Sequence, residues 1–119
     1  MSTTKIQLDP DPKNALAAVR EASRERPVLV FKQSPICPVS HRAESELVRW
    51  VESLGEQASL GLALVDVIAE RGLARGLTAE LDLQHESPQG LWFQGGELTW
   101  HGSHGELTGA RFGELLRGD

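Results

Sequence analysis

Apolar positions recur along this chain with two periods, and the switches between them divide it into elements. Lys5–Leu8 reads as a short edge strand. Asp11-Pro12 then supplies a cap and a first-turn proline, after which Ala15, Leu16, Val19 and Ala22 fall on one helical face, predicting a helix over residues 12–24. Pro27-Val-Leu-Val-Phe-Lys32 is β-branched and almost uniformly apolar, as a central strand covered on both faces must be. After Pro38, residues Ala43, Leu47, Trp50, Val51 and Leu54 repeat at helical spacing up to Gly55. Leu60–Val67 is a second buried-strand pattern, and Leu73, Ala74, Leu77 and Leu81 mark a further helix despite Gly72 and Gly76. This β-α-β-α-β-α order implies right-handed crossovers and an α/β fold with a partly parallel sheet.

The last third has a different pattern. Gly90–Gln94 and Glu97–His101 are short strands separated by Gly95-Gly96, the strongest hairpin signal in the chain. Thr108 suits the N-cap of a final helix carrying Phe112, Leu115 and Leu116.

Composition narrows the class. A chain of 119 residues, 39% hydrophobic and 24% charged, is expected to fold as one domain over residues 1–119 around a single core. A net charge of −5 opposes binding to nucleic acid or anionic lipid, and no apolar run approaches the ~20 residues that span a bilayer. A cytoplasmic protein is expected. The lone cysteine, Cys37, rules out an intramolecular disulfide and a cysteine-based zinc site, and no metal is expected.

Cys37 follows the central strand by a short loop and precedes Pro38, which places its sulfur at the N-terminus of a long helix. Unpaired N–H groups and the positive end of the helix favour a thiolate there. Ser40 stands where a dithiol oxidoreductase would carry its second cysteine; its hydroxyl can donate to a thiolate or serve as an ordinary first-turn cap. Ser87-Pro88 lies just before the hairpin.

The order of elements, with a cysteine after the central strand and a proline before the hairpin, resembles the thioredoxin-like fold: a central mixed β-sheet flanked by helices. Phe31-Lys32, Cys37-Pro-Val-Ser40-His41, His85-Glu-Ser-Pro-Gln89, Gly96-Glu97 and Trp100-His-Gly-Ser-His104 carry the likeness further. Together they resemble the successive motifs of the YtxJ-like monothiol bacilliredoxins over residues 5–117. That resemblance implies an enzyme, a thiol-disulfide oxidoreductase that removes bacillithiol, a cysteinyl-glucosaminyl-malate thiol, from protein mixed disulfides. It implies Cys37 as nucleophile, Ser40 at the resolving position and a cis Ser87–Pro88 bond. Bacillithiol would be the co-substrate, with no permanently bound cofactor. The partners would be bacillithiolated proteins and an external reductase.

If Pro88 packs beside Cys37, the first hairpin strand runs away from the thiol and the second returns to it. His101 and His104 would then join Ser87, Lys32, His41 and Arg42 as groups able to hold the ligand and its malate carboxylates. Trp92 and Trp100 read as packing across the hairpin. The same nucleophile would also suit a glutaredoxin-like reductase using another small thiol. A non-catalytic thioredoxin-like binding module is the third reading.

Overall fold

A computed structural model describes residues 3–55 and 58–118. In chain order the elements are β1 (Thr3–Lys5), α1 (Pro12–Ala22), β2 (Val28–Gln33), α2 (Pro38–Ser53), β3 (Leu60–Asp66), α3 (Arg71–Glu80), β4 (Gln89–Gln94), β5 (Glu97–Ser103) and α4 (Gly109–Arg117), with one 3₁₀ turn at His104–Glu106. The sheet runs β1-β3-β2-β4-β5. β1, β3 and β2 are mutually parallel, while β4 is antiparallel to both β2 and β5, so the sheet is mixed. No helix among the described residues is long and apolar enough to cross a membrane.

Alternation along the strands builds two cores. Val28, Val30, Ala63, Val65, Leu91 and Phe93 face α1 and α3. Leu29, Phe31, Leu60, Leu62 and Trp92 face α2 and α4, where the Trp50 ring lies 6.4 Å from Trp92 and 5.3 Å from Phe112. β2 is covered on both faces, which is why its sequence is a continuous apolar run rather than an alternating one.

The hairpin turns at Gly95 and Gly96, both with positive φ (65° and 89°), the backbone a two-residue reversal requires. Trp92 pairs with Trp100, but Phe93 pairs with Leu98, so Thr99 is an extra residue in β5. The Trp100 ring lies over Gly102, where an added Cβ would come within 2.6 Å of it.

Local differences from the pattern have simple causes. β1 forms at Thr3–Lys5 rather than Lys5–Leu8: the Ile6 N–H still donates to the Leu62 carbonyl of β3 at 2.9 Å, but past it the chain leaves the sheet and Leu8 is apolar because it packs into the core beneath α1. α1 stops at Ala22, where Ser23 Oγ turns back to donate to the Arg20 carbonyl at 2.8 Å. Asp11 occupies the cap position of α1 without a side-chain cap bond, whereas Thr108 does cap α4, accepting the Arg111 N–H at 3.1 Å.

Candidate active site

Because β2 and β4 are antiparallel, the end of one and the start of the other meet at the same sheet edge, with Lys32 opposite Gln89. The chain leaving β2 passes through Ser34-Pro-Ile to Cys37, and the chain entering β4 passes through Ser87-Pro88, whose peptide bond is cis. β5 returns to that edge: Ser103 stands opposite Gln89, and the His104 N–H donates to the Pro88 carbonyl at 3.1 Å. Cys37, Pro88 and His104 therefore share one edge.

Cys37 is the N-cap of α2, with extended backbone (φ −98°, ψ 123°) and Pro38 in the first turn. Its sulfur completes no capping hydrogen bond. The thiol is held below its ordinary range by the Ser40 backbone N–H first and the Val39 N–H second; slight burial opposes them and the Ser40 hydroxyl adds a smaller pull. These are the free donors of a helix N-terminus acting on a nearby anion.

Ser40 is buried, 1% exposed, and its Oγ accepts the Ser34 N–H at 3.0 Å, which ties the loop to the helix and leaves the hydroxyl proton for the sulfur. His41 Nε2 lies 2.6 Å from the Pro35 carbonyl, to which it donates, so its ring braces the same loop. Around the thiol, Ile36 is 78% exposed and Val39 46%, an apolar rim.

A groove of about 550 Å³ runs between α2 and the turn after β5, starting at Pro38, the residue after Cys37, and lined also by Val39, Arg42, Glu46, His104 and Leu107, without Cys37 itself. Arg42 is exposed and makes no ion pair among the described residues. Glu46 is already engaged, its Oε1 accepting the Gly109 N–H and its Oε2 pairing with Arg49, each at 3.0 Å. His104 sits in the left-handed region, φ 51°, an unfavourable backbone for a residue with a Cβ.

The structure separates the two histidines expected at one rim. His101 pairs with Leu91, so it lies on the α1/α3 face and lines a separate cavity of about 250 Å³ with Gln84, Glu86 and Glu106. His104 alone lines the groove beside the thiol. Strand alternation accounts for the split, since position 101 belongs to the face opposite α2.

Lys32 is likewise not at a ligand surface. It is fully buried, on the face of β2 that carries Val28 and Val30, a placement the period of two would have signalled. Its Nζ lies 2.8 Å from His85 Nδ1 and 2.7 Å from Gln89 Oε1. Gln89 Oε1 also accepts the Glu86 N–H at 3.2 Å, and its Nε2 donates to the Gln84 carbonyl at 3.1 Å. His85 and Gln89 are functional candidates to which the sequence motifs assigned no role. Between them sits Ser87, whose Oγ is shielded from solvent without a hydrogen-bond partner, and among the described residues no backbone bond reaches it.

Solved structures share this architecture. A candidate oxidoreductase with a thioredoxin fold is 26% identical, with a TM-score of 0.70 over 92% of this chain and 91% of its own. Trxlp from Edwardsiella tarda, 19% identical, gives a TM-score of 0.66 over 95% and 98%. A mutant thioredoxin from Halobacterium salinarum, 16% identical, gives 0.66 over 98% and 89%. The molecule is a thioredoxin-fold protein of the oxidoreductase class with a cysteine at the head of α2. More narrowly, the model of the family Monothiol bacilliredoxin BrxC matches residues 11–112, and the chain belongs to that family.

Proposed function

We propose that this protein removes bacillithiol from mixed disulfides on client proteins, with Cys37 as the nucleophile. What carries the reading is Cys37 itself: a thiol held toward its anion at a helix N-terminus, with Ser40 rather than a second cysteine three residues on. The Cys37 thiolate attacks the bacillithiol sulfur of the mixed disulfide. That S–S bond breaks, the client leaves as a thiolate and takes a proton from water, and a Cys37–bacillithiol disulfide forms. Since Ser40 cannot form a disulfide, a free thiol from outside the chain must attack this adduct, regenerate Cys37 and leave bound to bacillithiol. Two electrons must then come from an external reductase.

The groove beside the thiol suits the small-molecule part. Arg42 and His104 are placed to bind malate carboxylates, and the charge of Glu46 in the same groove is offset in part by its pairing with Arg49. Ile36 and Val39 offer an apolar rim to the client, and Ser87 a backbone, unpaired among the described residues, against which an extended client segment can pair. The direct test is mass spectrometry after mixing with bacillithiol disulfide. A single bacillithiol adduct on Cys37, absent from Cys37→Ser, is expected. Equal reaction with glutathione disulfide would favour a less selective reductase, and no adduct at all would favour a binding module.

A further inference from the structure

The fold buries an ammonium that the exchange chemistry does not use. Lys32 is fully buried and has no carboxylate partner among the described residues; its two hydrogen bonds go to an imidazole and an amide. Burying a cation without a paired anion is costly, and a methionine of similar length would fill the same space without that cost. An ammonium has only donors, so His85 Nδ1 must accept, which fixes His85 as neutral with its proton on Nε2. Gln89 accepts through Oε1 and, through its own Nε2, closes the segment back on Gln84.

Those partners are not arbitrary. His85 and Gln89 flank Ser87-Pro88 at the thiol edge, where Ser87 has no backbone partner among the described residues, and Lys32 reaches both from the face of the sheet opposite α2. The groups acting on the Cys37 thiol are Ser40 and Val39, so Lys32 acts through the segment and not on the sulfur. We propose that Lys32 is a positioning residue for peptide disulfides: it clamps His85 and Gln89 and so holds Ser87 and Pro88 in place for an incoming client backbone.

This rests on the disulfide-exchange reading above. Its test compares Lys32→Met with the parent on three reagents that make rising demands on the segment: iodoacetamide, bis(2-hydroxyethyl) disulfide, and a peptide bearing cysteine as a mixed disulfide. Cysteine is used so that an error in the choice of bacillithiol does not affect the outcome. The variant should react with the first two within about twofold of the parent and lose roughly tenfold on the peptide, the effect of one well-formed hydrogen bond in binding. Its thermal midpoint should be equal or higher, which a merely structural role would not give.

An unchanged peptide rate, or an equal fall on all three reagents, would overturn the proposal. So would a parent inert to every disulfide, which would take the exchange reading down as well. A parent that reacts with the cysteine peptide but not with bacillithiol disulfide overturns only the choice of small thiol. Should Lys32→Met not fold, His85→Leu removes one arm of the clamp and leaves the other; it should show the same selectivity for the peptide with a smaller loss, and a uniform loss there is equally fatal.

Discussion

Ser40 has two tasks at the thiol, and removing its oxygen separates them. It accepts the Ser34 N–H and offers its own proton to Cys37. Ser40→Ala should move the midpoint of the iodoacetamide rate-against-pH curve upward, toward the ordinary thiol value of about 8.5, and cost roughly 1–3 kcal/mol of stability because a buried N–H loses its acceptor. A midpoint that stays put would mean the backbone amides alone hold the thiolate. Cys37, Ser40 and Pro88 were legible in the sequence because each owes its place to neighbours within a few residues: a helix start, a first turn, the start of a strand. Lys32 and His101 were legible as candidates but not in their surroundings, since which face a strand residue takes matters more than how near its Cα is to the thiol. The pairing of Lys32 with His85, 53 residues away, had no local signal.

Among the elements, α3 poses a question that its sequence alone could not resolve. Gly72 and Gly76 both count against a helix, yet the structure gives them different duties. A Cβ on Gly76 would lie 2.7 Å from Pro12 Cβ and closer still to its Cγ, so α1 and α3 approach each other through that glycine; a Cβ on Gly72 meets nothing within 4 Å. Gly76→Ala should therefore destabilise by about 1–3 kcal/mol through overpacking, while Gly72→Ala should be neutral or stabilising by up to about 1 kcal/mol. Urea titration of the pair checks this, and equal effects would refute the close-approach reading. Continuous apolar runs located β2 and β3, the Gly95-Gly96 reversal located β4 and β5, and caps with the 3.6 period located the four helices, each of which buries a defined face. The same signals misplaced β1, where core burial continues to Leu8 after the chain has left the ladder at Ile6, and could not show the extra residue at Thr99, which changes pairing without changing polarity.

At the scale of the whole molecule, stability should climb with pH. Burial, with Arg75 nearby, pushes Lys32 down to about 8, against a smaller opposing pull from Glu86. His85 is lowered by burial first and then by the charges of Lys32, Arg75 and Arg71, again with Glu86 opposing. Both are bases with depressed folded values, so the unfolded chain binds more protons and stability rises with pH. For His85 the loss sets in as pH falls below its unfolded value of about 6.5; for Lys32 the gain runs from about 8 toward about 10.4. Cys37, an acid with a depressed folded value, has the same sign, its contribution being lost as pH falls through the folded value. The urea midpoint should therefore rise between pH 7 and pH 10, and Lys32→Met should flatten the alkaline part of that rise. A midpoint that falls over this range in the parent would contradict the buried-cation picture.

The extra residue at Thr99 also bears on how one molecule meets another. β5 is the open edge of the sheet, seven residues long, and an edge of that length can template a strand from a second copy and begin aggregation. A bulge disrupts the regular spacing of the outward N–H and C=O groups and coils the ribbon more tightly, so a flat incoming strand cannot keep register along it. Glu97, Thr99 and His101 are exposed along the same strand, and Glu97 adds a charge that two stacked copies would have to bring together. At the opposite edge β1 offers only three residues, too short a template to matter. One inserted threonine thus leaves the hairpin free to carry its end back to the thiol while protecting its open side from self-association.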